Sequence, residues 1–242
     1  MSRRCELVYR LQPRFRQRHN ADVDQIEEAN MLFSNPFKTR MPLVNEALVG
    51  RNIPIWDGAP HAVLGTPTMP PFPAGYAEIV FGLGCFWGAE RLFWHLEGVH
   101  TTAVGYAGGF TPNPTYEEVC SGQTGHTEAV LVVYDPAVVT LERVLKLFWE
   151  AHDPTQGFRQ GNDMGTQYRS AIFYADAADA DCVAQSATVF GAALAGGGFG
   201  SITTEIGHLD QFFYAEGYHQ QYLHKVPNGY CGLRGTGINC SL

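Results

Sequence analysis

The chain has 242 residues, which suits one domain or one domain with an extension, and its 45% hydrophobic residues can build a sizeable core. A formal net charge of −8 argues against a nucleic-acid-binding protein. No apolar run approaches the ~20 residues that a membrane-spanning helix needs, which argues against a membrane protein.

The first 45 residues lack sustained periodicity and are predicted to form an N-terminal extension, disordered or loosely packed, before a folded domain over residues 46–242. Six of the 16 basic residues lie in the first 18 positions, which leaves 10 basic against 23 acidic residues in the rest. This start is compatible with a disordered tail or with a transit peptide, and Met31 is a possible alternative start. The acidic stretch at residues 22–28 favours the tail, and we expect a cytoplasmic protein.

Six prolines lie between residues 53 and 75, which excludes a helix or a central strand in this stretch and indicates an extended arm or a linker. Regular structure is predicted to begin after it. Apolar periodicity predicts strands at 79–83, 101–106, 129–134, 168–174 and 202–206, and helices at 86–96, 141–149, 177–195 and 214–225. Thr140 is the expected N-cap of the second helix. Polar loops at 107–125 and 156–167 are long enough to be functional, and a glycine-rich tail from Val226 is predicted to be flexible.

The order strand, helix, strand, strand, helix, strand predicts an α+β fold. This is the arrangement of ferredoxin-like domains, in which helices cover one face of a sheet as a two-layer α/β sandwich. The sequence contains no internal repeat.

Six cysteines are spread along the chain: Cys5, Cys85, Cys120, Cys182, Cys231 and Cys240. An even number is compatible with two or three structural disulfides. Without a secretory signal, a mixture of buried and reactive thiols is the expected state.

Cys85 lies in Gly-Cys-Phe-Trp-Gly, residues 84–88, where the first predicted strand ends and the first helix begins. Unpaired N–H groups and the helix dipole favour an anion there, so this position predicts a lowered thiol pKa and a nucleophilic thiolate. A buried thiol that only fills space is the alternative. Phe86 and Trp87 belong either to the core or to the wall of an apolar pocket for a methyl or thioether group.

Glu128 stands in Gly-His-Thr-Glu, residues 125–128, at the head of an apolar strand. Burial would raise its pKa and keep it protonated as a general acid, whereas an exposed strand end would leave it an ordinary carboxylate. The loop at 161–169, which includes Asp163 and Tyr168, and Tyr116 in the earlier loop offer donors that can polarise an oxygen. The alternative for this loop is a turn in which the Asn and Asp side chains hydrogen-bond to the loop's own backbone.

Cys231 and Cys240 lie in the glycine-rich tail, where two thiols on a flexible segment suit disulfide exchange. A zinc site is the competing interpretation. It is disfavoured because the two cysteines lack C-x₂-C spacing, and because His219 and His224 do not form an H-E-x-x-H motif.

Taken together, these motifs resemble the peptide methionine sulfoxide reductases of the A type over about residues 45–242. The similar segments, in order, are Gly-Cys-Phe-Trp-Gly (84–88), Gly-Tyr-Ala-Gly-Gly (105–109), Asn-Pro-Thr-Tyr (113–116), Gly-His-Thr-Glu (125–128), His-Asp-Pro-Thr-Gln (152–156), Gln-Gly-Asn-Asp (160–163), Gly-Thr-Gln-Tyr-Arg (165–169) and His-Gln-Gln-Tyr (219–222). No single segment decides the resemblance, but so many in the same order make coincidence an unreasonable explanation.

The resemblance implies a role for each motif in the reduction step. Cys85 would attack the sulfoxide sulfur while Glu128 supplies a proton to the oxygen. Tyr116 and Tyr168 would donate hydrogen bonds to that oxygen. The remaining implied pocket residues, which hold the methyl group or orient the polar side, are Phe86, Trp87 and Asp163.

The resemblance also implies how the enzyme is regenerated. Cys85 would become a sulfenic acid, Cys231 would resolve it as a disulfide, and Cys240 would exchange with that disulfide, as in three-cysteine members. Thioredoxin is the implied reductant, and the implied substrates are the S epimer of methionine sulfoxide, free or in oxidised proteins. We therefore expect a monomeric protein-repair enzyme of the oxidative stress response, with neither cofactor nor metal.

The sequence departs from the family pattern at Met164, where a histidine is common, which puts the detail of that loop in doubt. Cys5, Cys120 and Cys182 match no family role. Two other functions remain open at this point. A thiol peroxidase would use the same sulfur chemistry on peroxide, and a sensor of oxidised methionine would bind the sulfoxide without turnover.

Overall fold

The structure is a computed structural model that describes residues 35–242. This part of the chain contains eight strands and five α-helices. The strands are Ala77–Gly82 (β1), Val99–Ala107 (β2), Thr127–Tyr134 (β3), Arg159–Gln160 (β4), Asp163–Met164 (β5), Ala171–Tyr174 (β6), Glu205–His208 (β7) and Phe212–Tyr214 (β8). The helices are Phe86–Trp94 (α1), Tyr116–Cys120 (α2), Leu141–Ala151 (α3), Ala180–Gly196 (α4) and Tyr222–Lys225 (α5). The architecture is mixed α+β, as the sequence predicted.

Six of these strands form one sheet in the order β7-β6-β1-β3-β2-β8, and β4 pairs with β5 in a separate hairpin. Neighbouring strands are antiparallel except β6 and β7. The register sets Gly82 opposite Ala171 and Tyr106 opposite Glu128. The carboxyl ends of β1 and β2 therefore meet the amino ends of β3 and β6 at one edge of the sheet, and the segments that follow or precede them converge there.

The two faces of the sheet carry separate apolar clusters because side chains alternate along each strand. Ile79 and Phe81 of β1 point to the helical face, where Phe81 stacks on Phe93 of α1 and Phe148 of α3 with ring centroids 5.0 and 4.9 Å apart. Val80 points to the other face. Phe72 and Tyr76 of the proline-rich arm pack on that second cluster, so the arm lies on the domain as an extended segment.

The three longest helices begin and end close to where the sequence placed them. Thr140 caps α3 as predicted, since its side chain accepts a hydrogen bond from the Arg143 backbone N–H. The predicted helix at 177–195 is α4, preceded by a 3₁₀ turn at Ala177–Asp179.

Three predictions of secondary structure were wrong in part. The helix predicted at 214–225 is limited to α5, because Phe212–Tyr214 pairs with β2 as β8. The strand predicted at 168–174 starts only at Ala171, since Thr166–Tyr168 forms a 3₁₀ turn. The predicted strand at 202–206 is β7 at Glu205–His208.

Most of the predicted extension, residues 1–34, lies outside the described residues, and its boundary at residue 45 stays a prediction. Residues 37–45 belong to the same unit as the rest of the chain, Phe37–Leu242. The backbone carbonyl of Phe37 accepts a hydrogen bond from the Thr166 hydroxyl, and the Lys38 ammonium donates to the Cys120 carbonyl at 2.6 Å. Between residues 35 and 242, none of the helices is long and apolar enough to cross a bilayer.

Candidate active site

Cys85 is the N-cap of α1 and follows β1 by a two-residue turn. Gly84 adopts φ +89°, a conformation that favours glycine, and a β-carbon there would lie 2.7 Å from the Gln160 side chain. Gln160 is itself anchored by hydrogen bonds to the backbone N–H and carbonyl of Asp153. This turn therefore holds Cys85, which is partly exposed, at the edge where the sheet ends converge.

Glu128 meets the start of the same helix. Its Oε2 accepts a hydrogen bond from the Phe86 backbone N–H at 3.1 Å, which occupies one of the unpaired donors of the first turn. The carboxyl group is 1% exposed, and its Oε1 makes no hydrogen bond within residues 35–242. Burial raises the pKa of Glu128 to about 8, and Asp163 contributes to the rise. Glu128 is buried, and its raised pKa favours the protonated form at neutral pH.

The predicted lowering of the Cys85 pKa was wrong. Burial raises the pKa of the thiol above its ordinary value, and the charge of the neighbouring Glu128 raises it further whenever Glu128 is ionised. A hydrogen bond from the Trp87 backbone N–H acts in the opposite direction, but it is the smaller effect. The start of the helix does favour the thiolate, as expected. Desolvation of the sulfur and the facing acid outweigh that contribution.

Aromatic rings form one wall beside Cys85. Phe86 is buried and Trp87 is partly exposed. Trp87 stacks on Tyr222 with ring centroids 4.0 Å apart, and Phe86 lies 6.4 Å from Tyr116 in a stacked arrangement. His219 contacts all of these rings except Tyr222, with centroid distances between 4.5 and 5.7 Å. Each ring is braced by another, which holds this aromatic wall rigid.

The polar side of the site is formed by Tyr116, Tyr168 and Asp163. Burial raises the pKa of Tyr116 and of Tyr168, with the Glu128 charge next in importance, so both stay protonated hydrogen-bond donors. Asp163 of β5 accepts a hydrogen bond from the Tyr230 hydroxyl at 3.2 Å, and burial raises its pKa. The charges of Glu128 and Asp163 both act on Cys85, so the structure brings these predicted residues into one site.

The two tail cysteines lie in different places. A β-carbon on Gly88 would lie 2.8 Å from the Cys231 sulfur, which places this exposed thiol on α1 one turn beyond Cys85. Cys240 is 1% exposed and lies on α3. Its backbone N–H donates to Glu150 at 2.8 Å, and its carbonyl accepts a hydrogen bond from Lys146. The structure brings Cys231 to Cys85, and it holds Cys240 at another helix.

Sequence reasoning missed three residues that touch the site. His219 is buried, and its Nδ1 accepts a hydrogen bond from the Trp87 indole N–H at 3.0 Å. Burial lowers the pKa of His219 to about 4, which keeps it neutral. Tyr222 stacks on Trp87, and Cys120 is hydrogen-bonded to the Tyr116 side chain. His-Gln-Gln-Tyr was recognised as a motif, but nothing in its spacing linked it to residue 87.

The departure from the family pattern at Met164 falls on the outside of the site. Met164 is 42% exposed and pairs with Arg159 in the β4–β5 hairpin, next to Asp163. No group of three or more His, Cys, Asp or Glu side chains suited to a metal ion is found within residues 35–242.

Comparison with known proteins finds one family of similar sequences. A family model described as peptide methionine sulfoxide reductase matches residues 77–239. The peptide methionine sulfoxide reductase MsrA of Brucella anthropi is 61% identical over 205 residues, which cover 85% of this chain and 94% of that protein. Its counterpart in Saccharophagus degradans is 57% identical over 209 residues, 86% of this chain and 97% of that protein.

Solved structures give the same result. Methionine sulfoxide reductase A of Corynebacterium diphtheriae is similar with a TM-score of 0.76 and 48% identity, covering 84% of this chain and 99% of that one. Mxr1 of Saccharomyces cerevisiae in reduced form is similar with a TM-score of 0.62 and 35% identity, covering 71% and 99%.

Proposed function

The chain belongs to the peptide methionine sulfoxide reductase family, and we propose that it reduces methionine sulfoxide with Cys85 as nucleophile and Glu128 as acid. One observation carries the proposal. A buried carboxyl group, whose raised pKa favours the protonated form at neutral pH, is hydrogen-bonded to the residue that follows the thiol, and its other oxygen has no partner among residues 35–242. Both groups thus lie at the start of α1, beside an aromatic wall.

The first step transfers the sulfoxide oxygen to Cys85. The sulfur of Cys85 attacks the sulfoxide sulfur while Glu128 protonates the oxygen, because an oxygen that carries a proton makes the sulfur electrophilic. The Glu128 carboxylate then takes up the thiol proton. The attack forms an S–S bond between Cys85 and the substrate. The oxygen then passes to the Cys85 sulfur as this S–S bond and the S–O bond to methionine break, so methionine leaves as the thioether and Cys85 is oxidised to a sulfenic acid. Glu128 therefore ends the step as it began, protonated.

The raised pKa of both groups fits this proton shuttle. In the neutral site, neither Cys85 nor Glu128 carries a charge that burial would penalise. A sulfoxide oxygen that draws the Glu128 proton leaves a carboxylate able to accept the Cys85 proton. Thiolate character then develops only when substrate is in place, which limits side reactions of the thiol with other oxidants.

The surrounding residues orient the substrate. Tyr116 and Tyr168 stay protonated. Tyr168 can donate a hydrogen bond to the oxygen, and Tyr116 can do so when its hydroxyl turns from Cys120 to the substrate. Phe86 and Trp87 offer apolar contact to the methyl group, and Asp163 fixes the polar side through Tyr230. An asymmetric site of this kind, apolar on one side and donating on the other, distinguishes two sulfoxide epimers. We assign the S epimer, free or in proteins.

Regeneration uses the tail. The Cys231 thiol gives up its proton as its sulfur attacks the sulfenic sulfur of Cys85. The S–S bond forms, the S–O bond breaks, and the oxygen leaves with that proton as water. Cys240 then attacks Cys231 and releases Cys85 as a thiol, which requires the segment around Cys240 to detach from α3. The resulting exposed disulfide suits a dithiol protein of the thioredoxin type as reductant.

The test is reduction of the two separated epimers of methionine sulfoxide by the full chain with a thioredoxin system. We expect methionine from the S epimer and none above background from the R epimer. Hydrogen peroxide as the oxidised substrate is the control, and faster turnover of peroxide than of either sulfoxide would contradict the proposal. Equal rates for the two epimers would remove the epimer assignment alone.

Further expectations concern the molecule as a whole. The order β6-β1-β3-β2 at the centre of the sheet, with α1 and α3 on one face, supports a ferredoxin-like two-layer sandwich. We propose that the chain is a monomer in the cytoplasm and repairs oxidised proteins. Size-exclusion chromatography with light scattering tests the first of these statements.

A further inference from the structure

We propose that Gly88 is a positioning residue for disulfide formation, because its missing side chain leaves the space that the Cys231 sulfur occupies. This inference rests on the proposed function, in which Cys231 resolves the oxidised Cys85. It concerns the resolving step alone and leaves the reduction of the sulfoxide unchanged.

The contact between Gly88 and the tail is closer than any side chain would allow. A β-carbon built on Gly88 would lie 2.8 Å from the Cys231 sulfur and 3.3 Å from the β-carbon of Leu233. Carbon atoms in ordinary contact are about 3.5–4.0 Å apart, and sulfur is larger than carbon. An alanine would therefore displace the Cys231 sulfur by roughly 1 Å.

The position of Gly88 on α1 makes this space relevant to Cys85. Residues three apart on a helix lie on one face, with about 5–6 Å between their β-carbons. Cys85 is the N-cap, and Gly88 is the third residue of the helix. The Cys231 sulfur, which rests on Gly88, is therefore about one helical turn from Cys85, and Cys231 is among the groups whose charge acts on the Cys85 thiol.

Only a few contacts hold this part of the tail. The Tyr230 hydroxyl donates to Asp163 at 3.2 Å, and Leu233 packs on the helical core cluster. Cys231 itself is exposed and has neither a helix nor a strand around it. The depth to which its sulfur approaches α1 is therefore set by what it meets at residue 88.

The chemical step is sensitive to such a displacement. The Cys231 sulfur must attack along the S–O axis of the sulfenic acid as the S–S bond forms and the oxygen departs as water. A misplacement of about 1 Å from the reactive geometry can cost on the order of 10²-fold in rate. Gly88→Ala is therefore expected to slow disulfide formation by about 10- to 100-fold.

The fold itself is expected to tolerate the change. Alanine is the best helix former and glycine one of the poorest, so the substitution favours α1. The Cys231 sulfur, which must move furthest, is the end of an exposed side chain on a tail without regular structure, whereas the β-carbon of Leu233 at 3.3 Å needs to move by only a few tenths of an ångström. Gly191→Ala is the matched control, since Gly191 lies inside α4 and its β-carbon would meet only the Ile202 side chain at 3.5 Å.

The experiment mixes the reduced full-length protein with excess methionine S-sulfoxide in the absence of reductant. Methionine release and loss of free thiols are followed over time, and dimedone traps any sulfenic acid. For Gly88→Ala we expect the first methionine at the wild-type rate, thiol loss slowed about 10- to 100-fold and a dimedone adduct on Cys85. Gly191→Ala should match wild type in all three measurements.

Disulfide formation in Gly88→Ala at the wild-type rate would overturn the inference. So would an equal slowing of the first methionine, since that would place the effect in the reduction step. If wild type itself released no methionine, the proposed function would fail instead, and the two outcomes are distinguishable in one experiment.

Discussion

The start of α1 and the C-terminal tail both carry a reactive thiol, but they are built in opposite ways. Cys85 follows a strand buried on both faces, and it shares its helix terminus with a carboxyl group that is 1% exposed. Cys231 is exposed on a segment without helix or strand. The first region is held by the sheet and the second by a few side-chain contacts.

The two regions differ because the reduction step needs a fixed geometry and the recycling step needs a mobile thiol. Reduction of a sulfoxide needs a thiol, an acid and a methyl pocket within a fraction of an ångström, which only a packed core fixes. Recycling needs a thiol that first meets Cys85 and then leaves it for another partner, which a packed core would prevent. We therefore expect loss of Cys85 or Glu128 to affect release of the first methionine, and loss of Cys231 to affect only the steps after that release.

The largest effect is expected for Cys85→Ser. Without the sulfur there is no atom to accept the sulfoxide oxygen, so release of methionine should fall to the rate without enzyme. Methionine is measured by chromatography after incubation with the S-sulfoxide and excess dithiothreitol. Turnover within a few-fold of wild type would show that another thiol is the nucleophile.

Cys231→Ser should separate the two regions. The first methionine should be released at the wild-type rate, with about one methionine per enzyme, because nothing in the aromatic wall or the acid changes. Turnover with thioredoxin should then stop, since the sulfenic acid has no resolving thiol. A rapid-quench time course checks both parts, and sustained turnover with thioredoxin would assign the resolving role elsewhere.

A smaller effect is expected for His219→Phe. The ring stays, but the Trp87 indole N–H loses its acceptor at Nδ1, and a net hydrogen bond contributes about 0.5–1.5 kcal/mol. KM for the S-sulfoxide should rise roughly 2- to 10-fold while the rate of the chemical step changes less. Trp87 fluorescence should change in parallel.

His219→Asn is the control, because its amide can offer an acceptor near the position of Nδ1. Its KM should lie closer to wild type than that of the Phe variant. If both variants raise KM equally, the hydrogen bond is not what positions Trp87, and the loss of the imidazole ring's packing is the better explanation.

Much of the fold could be predicted because its periodicity is strong. β1, β3 and α3 are apolar runs or amphipathic stretches bounded by clear turn residues, and these were placed correctly. The segment 214–221 was predicted as helix, but its polar side chains serve other elements. Gln220 bonds to both backbone groups of Val104, and Gln221 bonds to the buried Glu90. Hydrogen bonds to residues so far away in the chain do not change the local spacing of apolar residues, so periodicity cannot predict them.

Two missed elements did have a signal. Thr115 and Glu118 form a capping box that begins α2, and the spacing Thr-x-x-Glu was visible in the sequence. The β4–β5 hairpin turns at Gly161-Asn162, a pair typical of tight hairpins. Both lie in polar, glycine-bearing stretches whose composition predicts irregular loops, and a motif of two to four residues is a weak signal beside that composition.

The residues of the site could be predicted from the sequence, but the directions of their pKa shifts could be predicted less well. The strand–helix junction and the motifs identified Cys85 and Glu128, and the structure brings them together. The direction of the Cys85 pKa shift was wrong, because it depends on burial and on a facing carboxyl group 43 positions away. His219 was missed for the same reason, since its partner Trp87 is distant in the chain.

The pH dependence of the first turnover tests the central claim most directly, which is that a protonated Glu128 acts with the Cys85 thiol. The pKa of Glu128 is raised to about 8, so the acid is present below that pH and is lost above it. The rate of methionine release in a single turnover should therefore fall as pH rises through about 8 in wild type. Tyr116 and Tyr168 stay protonated throughout this range and do not contribute to the fall.

Glu128→Gln is the decisive comparison in the same assay. We expect it to slow the first turnover by roughly 10²- to 10⁴-fold and to abolish the fall near pH 8, because the amide does not titrate. A Gln variant with the wild-type rate, or with the same fall above pH 8, would contradict the assignment of Glu128 as the acid.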